Sequence, residues 1–296
     1  MTADKKGVDQ CPACQGKAQR RRFAAPLPWF DRAIREDAFT CWFQPLVDLS
    51  SGVVFAHECL IRLDDGELRT GKEIIQAALV CGSIHSFDAY ARQLAIREGS
   101  LQHEPGTYLF INCFPASVHD PECCLRSTIE AVERTSLRPS EIVFEMVDAD
   151  GAPDYDRLRR LCEFYRREGF GVALDDVMGG EESLNRLADL GPHFIKLDKI
   201  LVQRADAPAT AAMTREILDI ARQYHIAVIA KDVESPETAA TLLAAGISLM
   251  QGRHFGRPSP QMRANTGAAL VRLMEHLEGH LEAEMPQSFA PLLTDL

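Results

Sequence analysis

Several polar residues fall where an otherwise apolar, β-prone run should stay apolar. Glu58 comes late in Val53–Ile61, and Asn112 ends Tyr-Leu-Phe-Ile-Asn. Glu145 interrupts Ile-Val-Phe-Glu-Met-Val, and Asp175 and Asp176 close Val-Ala-Leu-Asp-Asp. Lys196 lies in Phe-Ile-Lys-Leu-Asp198, and Lys231 follows Val-Ile-Ala. One such acid is easily a satisfied core residue. Three acids and an amide converging on one rim are hard to explain without a cation, because clustered carboxylates repel. Oxygen donors suit Mg²⁺, Mn²⁺ or Ca²⁺ better than zinc. The residues by themselves therefore predict a metal-dependent site acting on phosphate.

Such a rim needs elements that bring strand ends together. Strand-like runs cover Phe43–Asp48, Val53–Ile61, Tyr108–Asn112, Ile142–Val147, Gly171–Asp175, His193–Leu197 and Ile226–Ala230, with Ser248–Gln251 ambiguous. Helical patterns alternate with them: Lys72–Cys81, Phe87–Gly99, Glu122–Thr135, Tyr155–Glu168, Ser183–Leu190, Thr210–Tyr224 and Pro236–Ala245. This alternation predicts parallel strands joined by crossover helices, and seven or eight repeats favour a closed (β/α)₈ barrel, whose active site lies at the strands' C-terminal ends. Only Leu49-Ser50-Ser51-Gly52 separates the first two runs. That hairpin makes one strand antiparallel and the barrel irregular.

The flanks divide the chain into residues 1–28 as a tail, 29–260 as the barrel domain, and 261–296 as an amphipathic helix and tail. Cys11 and Cys14 have the spacing of half a zinc knuckle, but no second pair follows at that spacing. An ordinary thiol-bearing tail is expected there rather than structural zinc. The other cysteines among the nine read as small hydrophobes in a reducing compartment. The net charge of -11 argues against a nucleic-acid polymer as partner, since such binding depends on Lys and Arg neutralising phosphate. No run is long enough to span a membrane and no secretory leader is evident, so a cytoplasmic protein is expected.

The ordered motifs between Trp42 and Pro260 resemble the EAL family of cyclic-di-GMP phosphodiesterases. Phe43-Gln44-Pro45-Leu46 is similar to its opening strand, and His57-Glu58-Cys59-Leu60-Ile61-Arg62 to its signature, with Cys in place of Ala. Asn112-Cys-Phe-Pro115 is similar to its N-x-x-P segment, Gly171–Asp176 to its paired-aspartate strand, and Phe194–Asp198 to its I-K-x-D strand. Leu249–Pro258 is similar to its Q-G-x-x-F-x-x-P ending. The resemblance implies that Glu58, Asn112, Glu145 and Asp175 coordinate metal, with Asp176 helping to hold a second ion. It implies that Lys196 positions water and phosphate, that Gln44 and Arg62 contact the dinucleotide beside Pro115 and Asp198, and that Gln251 and Glu234 support the site. The family chemistry is attack of metal-activated water on one phosphodiester, giving linear pGpG.

The chain departs from the family at the base. The segment A-E-G-V-E reads Ala230-Lys231-Asp232-Val233-Glu234, so an ammonium stands where the general base belongs. Losing a positioned base costs roughly 10²–10⁴ in rate. The paired-aspartate loop gains Glu181 and Glu182, and E-x-T-E becomes Glu145-Met-Val-Asp148. The expected function is a cyclic-di-GMP signalling domain that binds the dinucleotide with weak or no hydrolysis. An active Mg/Mn phosphodiesterase using Glu181, Glu182 or neutral Lys231 is the alternative. A nucleotide-independent interaction module is the third. A homodimer and an unidentified output protein are expected partners.

Overall fold

The hairpin Leu49-Ser50-Ser51-Gly52 sets the first register. Asp48 accepts from the Ser50 amide at 3.0 Å and from the Ser50 hydroxyl at 2.7 Å. Gly52, at φ 72°, supplies the left-handed turn that lets β1 (Phe39–Asp48) fold back onto β2 (Val53–Asp64). The computed structural model describes residues 27–147 and 155–262. The Cys11–Cys14 pair, Asp148 and the helix expected after residue 262 lie outside them.

Beyond the hairpin the chain alternates as its periodicity predicts. A two-residue strand, β3 (Leu68–Arg69), lies against β2 outside the barrel. The remaining strands are β4 (Tyr108–Cys113), β5 (Ile142–Met146), β6 (Gly171–Val177), β7 (Phe194–Leu197), β8 (Ala227–Ala230) and β9 (Leu249–Gln251). Strands β2 and β4 to β9 run parallel in order. β1 is antiparallel to both β2 and β9 and closes an eight-stranded barrel. The ambiguous run Ser248–Gln251 thus supplies β9, the strand that β1 pairs with to close the barrel.

Helices α2 (Gly71–Val80), α3 (Ile84–Ser100), α6 (Tyr155–Arg167), α7 (Glu181–Leu190), α9 (Pro208–Gln223) and α10 (Pro236–Ala244) occupy the expected stretches. The helix expected over Glu122–Thr135 divides into α4 (Pro121–Cys124) and α5 (Arg126–Glu133), with Leu125 between them. A short α8 (Lys199–Gln203) follows β7. Among the described residues, helix α1 (Pro28–Glu36) precedes the barrel; its Phe30 and Ala33 pack with Phe39, Leu63, Ile74 and Phe87.

The apolar interior explains where the polar rim must lie. Leu46, Ala56, Phe110, Val143, Ala173, Phe194 and Ile229 form one cluster, with Leu249 against it. Each comes from a different barrel strand, so together they plug the lumen. Side chains alternate across a strand, so the residues two positions nearer the strands' C-terminal ends face the same lumen one layer higher. Those residues are Glu58, Asn112, Glu145, Asp175, Lys196, Lys231 and Gln251. On antiparallel β1 the step runs backward, to Gln44, which pairs directly with Glu58.

Candidate functional site

The layer above the plug is held by two lysines. Lys196 of β7 is 1% exposed and donates to Glu58 Oε2 at 2.8 Å, while its Nζ lies 2.5 Å from Glu145 Oε2. Burial alone would lower its pKa, but the surrounding Glu145, Glu58 and Asp175 carboxylates drive it up instead. Burial pushes Glu58 up too, yet the Lys196 charge and hydrogen bonds from Lys196, Gln251 and Asn112 hold it down to about 2. The Gln251 amide donates at 2.8 Å and the Asn112 amide at 3.2 Å. Glu145, fully enclosed and beside Glu58 and Asp175, is pushed up to about 8 by burial despite Lys196. Asn112 and Glu145 are register partners on β4 and β5.

Lys231 makes the second bridge. Its Nζ lies 2.5 Å from Asp175 Oδ1 and 2.6 Å from Asp176 Oδ1. Two consecutive strand residues normally face opposite ways, so a bulge is needed to bring both to one cation. In the β6–β7 pairing Leu174 matches Ile195 and Val177 matches Leu197, so Asp175 and Asp176 together oppose Lys196 alone. Asp176 completes the turn at φ 56°, where Asp is tolerated better than most side chains. Burial disfavours the Lys231 charge, but the two aspartates outweigh it and raise its pKa.

The rim thus gathers Gln44, Glu58, Asn112, Glu145, Asp175, Asp176, Lys196, Lys231 and Gln251. The Gln44 amide donates to the Gly256 carbonyl at 3.1 Å, tying β1 to the loop after β9. Arg62, four residues beyond Glu58 and buried, donates to the Ile61 carbonyl at 2.8 Å and lies 5.9 Å from the centre of the Trp42 ring. Other expected site residues stand apart. Glu234 pairs with Arg253, Asp198 caps α8 by accepting from the Ile200 amide at 2.7 Å, and Pro115 is buried in a short 3₁₀ turn, Pro115–Ser117. Glu181 and Glu182 begin α7.

The residue reading missed Asp88 and Arg92, a buried ion pair one turn apart on α3. Asp88 accepts from the Phe114 amide at 3.0 Å and the Ser117 hydroxyl at 2.5 Å, fixing the loop after Asn112. The available signal was two opposite charges at i and i+4 on the face that also carries Ala91, Leu94 and Ala95. A cavity of about 400 Å³ opens beside Glu58 and Asn112, walled by Cys59, Leu60, Ile61 and Ile75. Its apolar wall beside polar groups is the usual make-up of a small-molecule site.

The donor set suits a hard divalent ion: Glu58, Asn112, Glu145 and Asp175 offer oxygen from four adjacent strands. Among the described residues, however, no three His, Cys, Asp or Glu side chains are arranged to hold a metal as they stand. Lys196 and Lys231 sit between the carboxylates.

Residues 29–258 match the family model described as EAL domain. The chain belongs to the EAL domain family. A standalone EAL protein from Vibrio cholerae, solved in its c-di-GMP-bound form, is 30% identical; the match covers 76% of this chain and 94% of that one, with TM-score 0.69. The EAL domain of FimX from Xanthomonas citri, in complex with c-diGMP, shares the fold at TM-score 0.74 and 20% identity, covering 84% and 99%. The cyclic di-GMP phosphodiesterase RocR of Pseudomonas aeruginosa is 27% identical over 241 residues, covering 78% of this chain and 60% of RocR. The signaling protein YkoW of Bacillus subtilis is 25% identical over 77% of this chain, which spans only 29% of YkoW. As an EAL domain, the chain is a component of c-di-GMP signalling with the family's TIM-like barrel. Among the described residues no helix is long and apolar enough to cross a membrane.

Proposed function

We propose that this EAL domain binds cyclic-di-GMP at the rim and hydrolyses it slowly or not at all. One observation carries the reading: the Lys231 ammonium, paired with Asp175 and Asp176, stands at the family's base position. An ammonium so paired takes no proton from water. Binding has separate support. Gln44, Arg62 and Lys196 are retained, and the cavity beside Glu58 offers an apolar wall to a purine. Glu58, Asn112, Glu145 and Asp175 would hold Mg²⁺ or Mn²⁺, with Ca²⁺ as a substitute, and a bound ion would polarise the phosphate and lower the pKa of attacking water. BlrP1 of Klebsiella pneumoniae, 25% identical at TM-score 0.69, is a relative solved as a calcium/cy-diGMP complex.

The active phosphodiesterase is the second reading, favoured by the survival of the whole four-strand oxygen set. Calorimetric titration of cyclic-di-GMP, with and without Mg²⁺, followed by analysis of the recovered nucleotide, separates the two. Saturable heat with intact ligand supports the receptor. Continuing heat with linear pGpG overturns it. No heat in either buffer removes both nucleotide readings and leaves the interaction module.

A further inference from the structure

We propose that this site takes one divalent ion where the family pattern provides for two, because Lys231 is a built-in replacement for the second. The inference rests on the reading of the rim as a retained metal and phosphate site.

The bulge in β6 directs Asp175 and Asp176 at one point, and the Lys231 Nζ occupies it at 2.5 and 2.6 Å. Both carboxylates thus already have a cation against them. On the Glu58 side Lys196 likewise pairs with Glu58 and Glu145, but acids from β2 and β5 and the Asn112 amide from β4 meet around it, and Glu58 accepts from Asn112 and Gln251 through different oxygens. Three strands thus supply oxygen donors for one hard ion, to which Asp175, shared with Lys231, would add the fourth.

Charge counting leads to the same number. With every acid ionised, as a metal ligand must be, the rim holds four carboxylates, Glu58, Glu145, Asp175 and Asp176, and two ammonium groups, Lys196 and Lys231. Two negative charges remain, which one divalent ion neutralises. With glutamate in place of Lys231 there are five carboxylates against one ammonium, leaving four negative charges and a requirement for two divalent ions. Clustered like charges are tolerated only when compensated, so a single substitution changes the ion count by one. Lys231 therefore removes the base and the second ion together.

The test is Mn²⁺ stoichiometry on the full chain, by equilibrium dialysis with bound metal counted and by the loss of the free-Mn²⁺ electron spin resonance signal. The wild type is expected to bind one ion per chain and K231E two, with the first site's affinity within about threefold of wild type. Two ions of similar affinity in the wild type, none in the wild type, or one in a folded K231E would each overturn the proposal. Circular dichroism and thermal melting establish that K231E is folded. If it is not, K231M carries the test: it removes the ammonium without adding an acid, and a second ion at least tenfold weaker than the first is expected. An unchanged single ion in K231M overturns the proposal. Cyclic-di-GMP binding is read separately by calorimetry. A chain that binds one ion but no nucleotide defeats the proposed function and leaves this inference standing.

Discussion

Lys196 and Lys231 are the same residue type at equivalent heights on neighbouring strands, yet their surroundings give them different weights. Lys196 is 1% exposed between Glu58 and Glu145, whereas Lys231 is 16% exposed and one of its two partners, Asp176, is 56% exposed. Water can take over the solvation of Asp176 if its cation is lost; it cannot easily reach Glu145. Removing one member of a buried charge cluster leaves an uncompensated charge and costs about 3–5 kcal/mol. K196M is therefore expected to lose about that much stability in urea unfolding, and K231M clearly less. A K196M loss below about 1 kcal/mol would show that the rim is better hydrated than its burial implies. Glu58, Asn112, Glu145, Asp175 and Lys196 were legible in sequence because each breaks an apolar strand. Gln44 and Gln251 were legible only through family resemblance, since an amide near a strand end carries no charge to announce itself. That Glu234 turns to Arg253 was not legible at all: a loop residue's direction depends on backbone angles, and Asp232, two residues before it, adopts φ 57°.

At the level of elements, the rim is held by strand ends that depend on loop-to-loop contacts. The loop after β8 and the loop after β9 are joined where the Val233 amide donates to the Gln251 carbonyl at 3.0 Å and the His254 amide donates to the Val233 carbonyl at 3.1 Å. Gly252 permits this approach, because a Cβ at that position would sit inside the backbone of Val233. G252A must push the two loops apart, and overpacking of this kind costs about 1–3 kcal/mol. Both Lys231 and Gln251 flank the contact, so G252A is expected to lower the melting temperature and weaken cyclic-di-GMP binding together. A melting temperature lowered with nucleotide affinity unchanged would show that the rim is positioned independently of this contact. The alternation of strand and helix was readable from periodicity, including the antiparallel start. The bulge at Asp175–Asp176 was not, because it exists only in the pairing of β6 with β7. Helix α1, at the start of the barrel domain, was not assigned from the sequence, although Pro28 at its first turn and the spacing of Phe30 and Ala33 were the available signals.

Across the whole molecule the barrel separates chemistry at the C-terminal strand ends from stability at the opposite end, the division of labour general to this architecture. β5 shows both within a few residues: Glu145 reaches the rim, while Glu141, just before the strand, closes the 3₁₀ turn Pro139–Glu141 at the other end. Glu141 accepts from the Arg138 guanidinium at 2.8 Å and from the Arg138 amide at 2.9 Å. The guanidinium's hydrogen bond is the main cause that holds its carboxyl down to about 2, against the ordinary 4.5, with burial opposing. Between those two values the unfolded chain binds a proton that the folded chain does not, so stability must rise with pH across that window. The contribution is complete above about pH 4.5 and lost as pH falls through about 2. E141Q cannot titrate there. It is expected to be less stable than wild type by about 2–3 kcal/mol at pH 7, the worth of hydrogen bonds to a charged group. The gap should narrow from pH 4.5 downward and close near pH 2, where wild type carries the neutral acid as well. Because the rim carboxylates are common to both proteins, their titration cancels in the difference between the two urea-unfolding curves. A gap that stays constant from pH 7 to pH 2 would mean that Glu141 holds the turn by shape rather than by charge. In that case substitutions at the rim and at this latch should add without coupling.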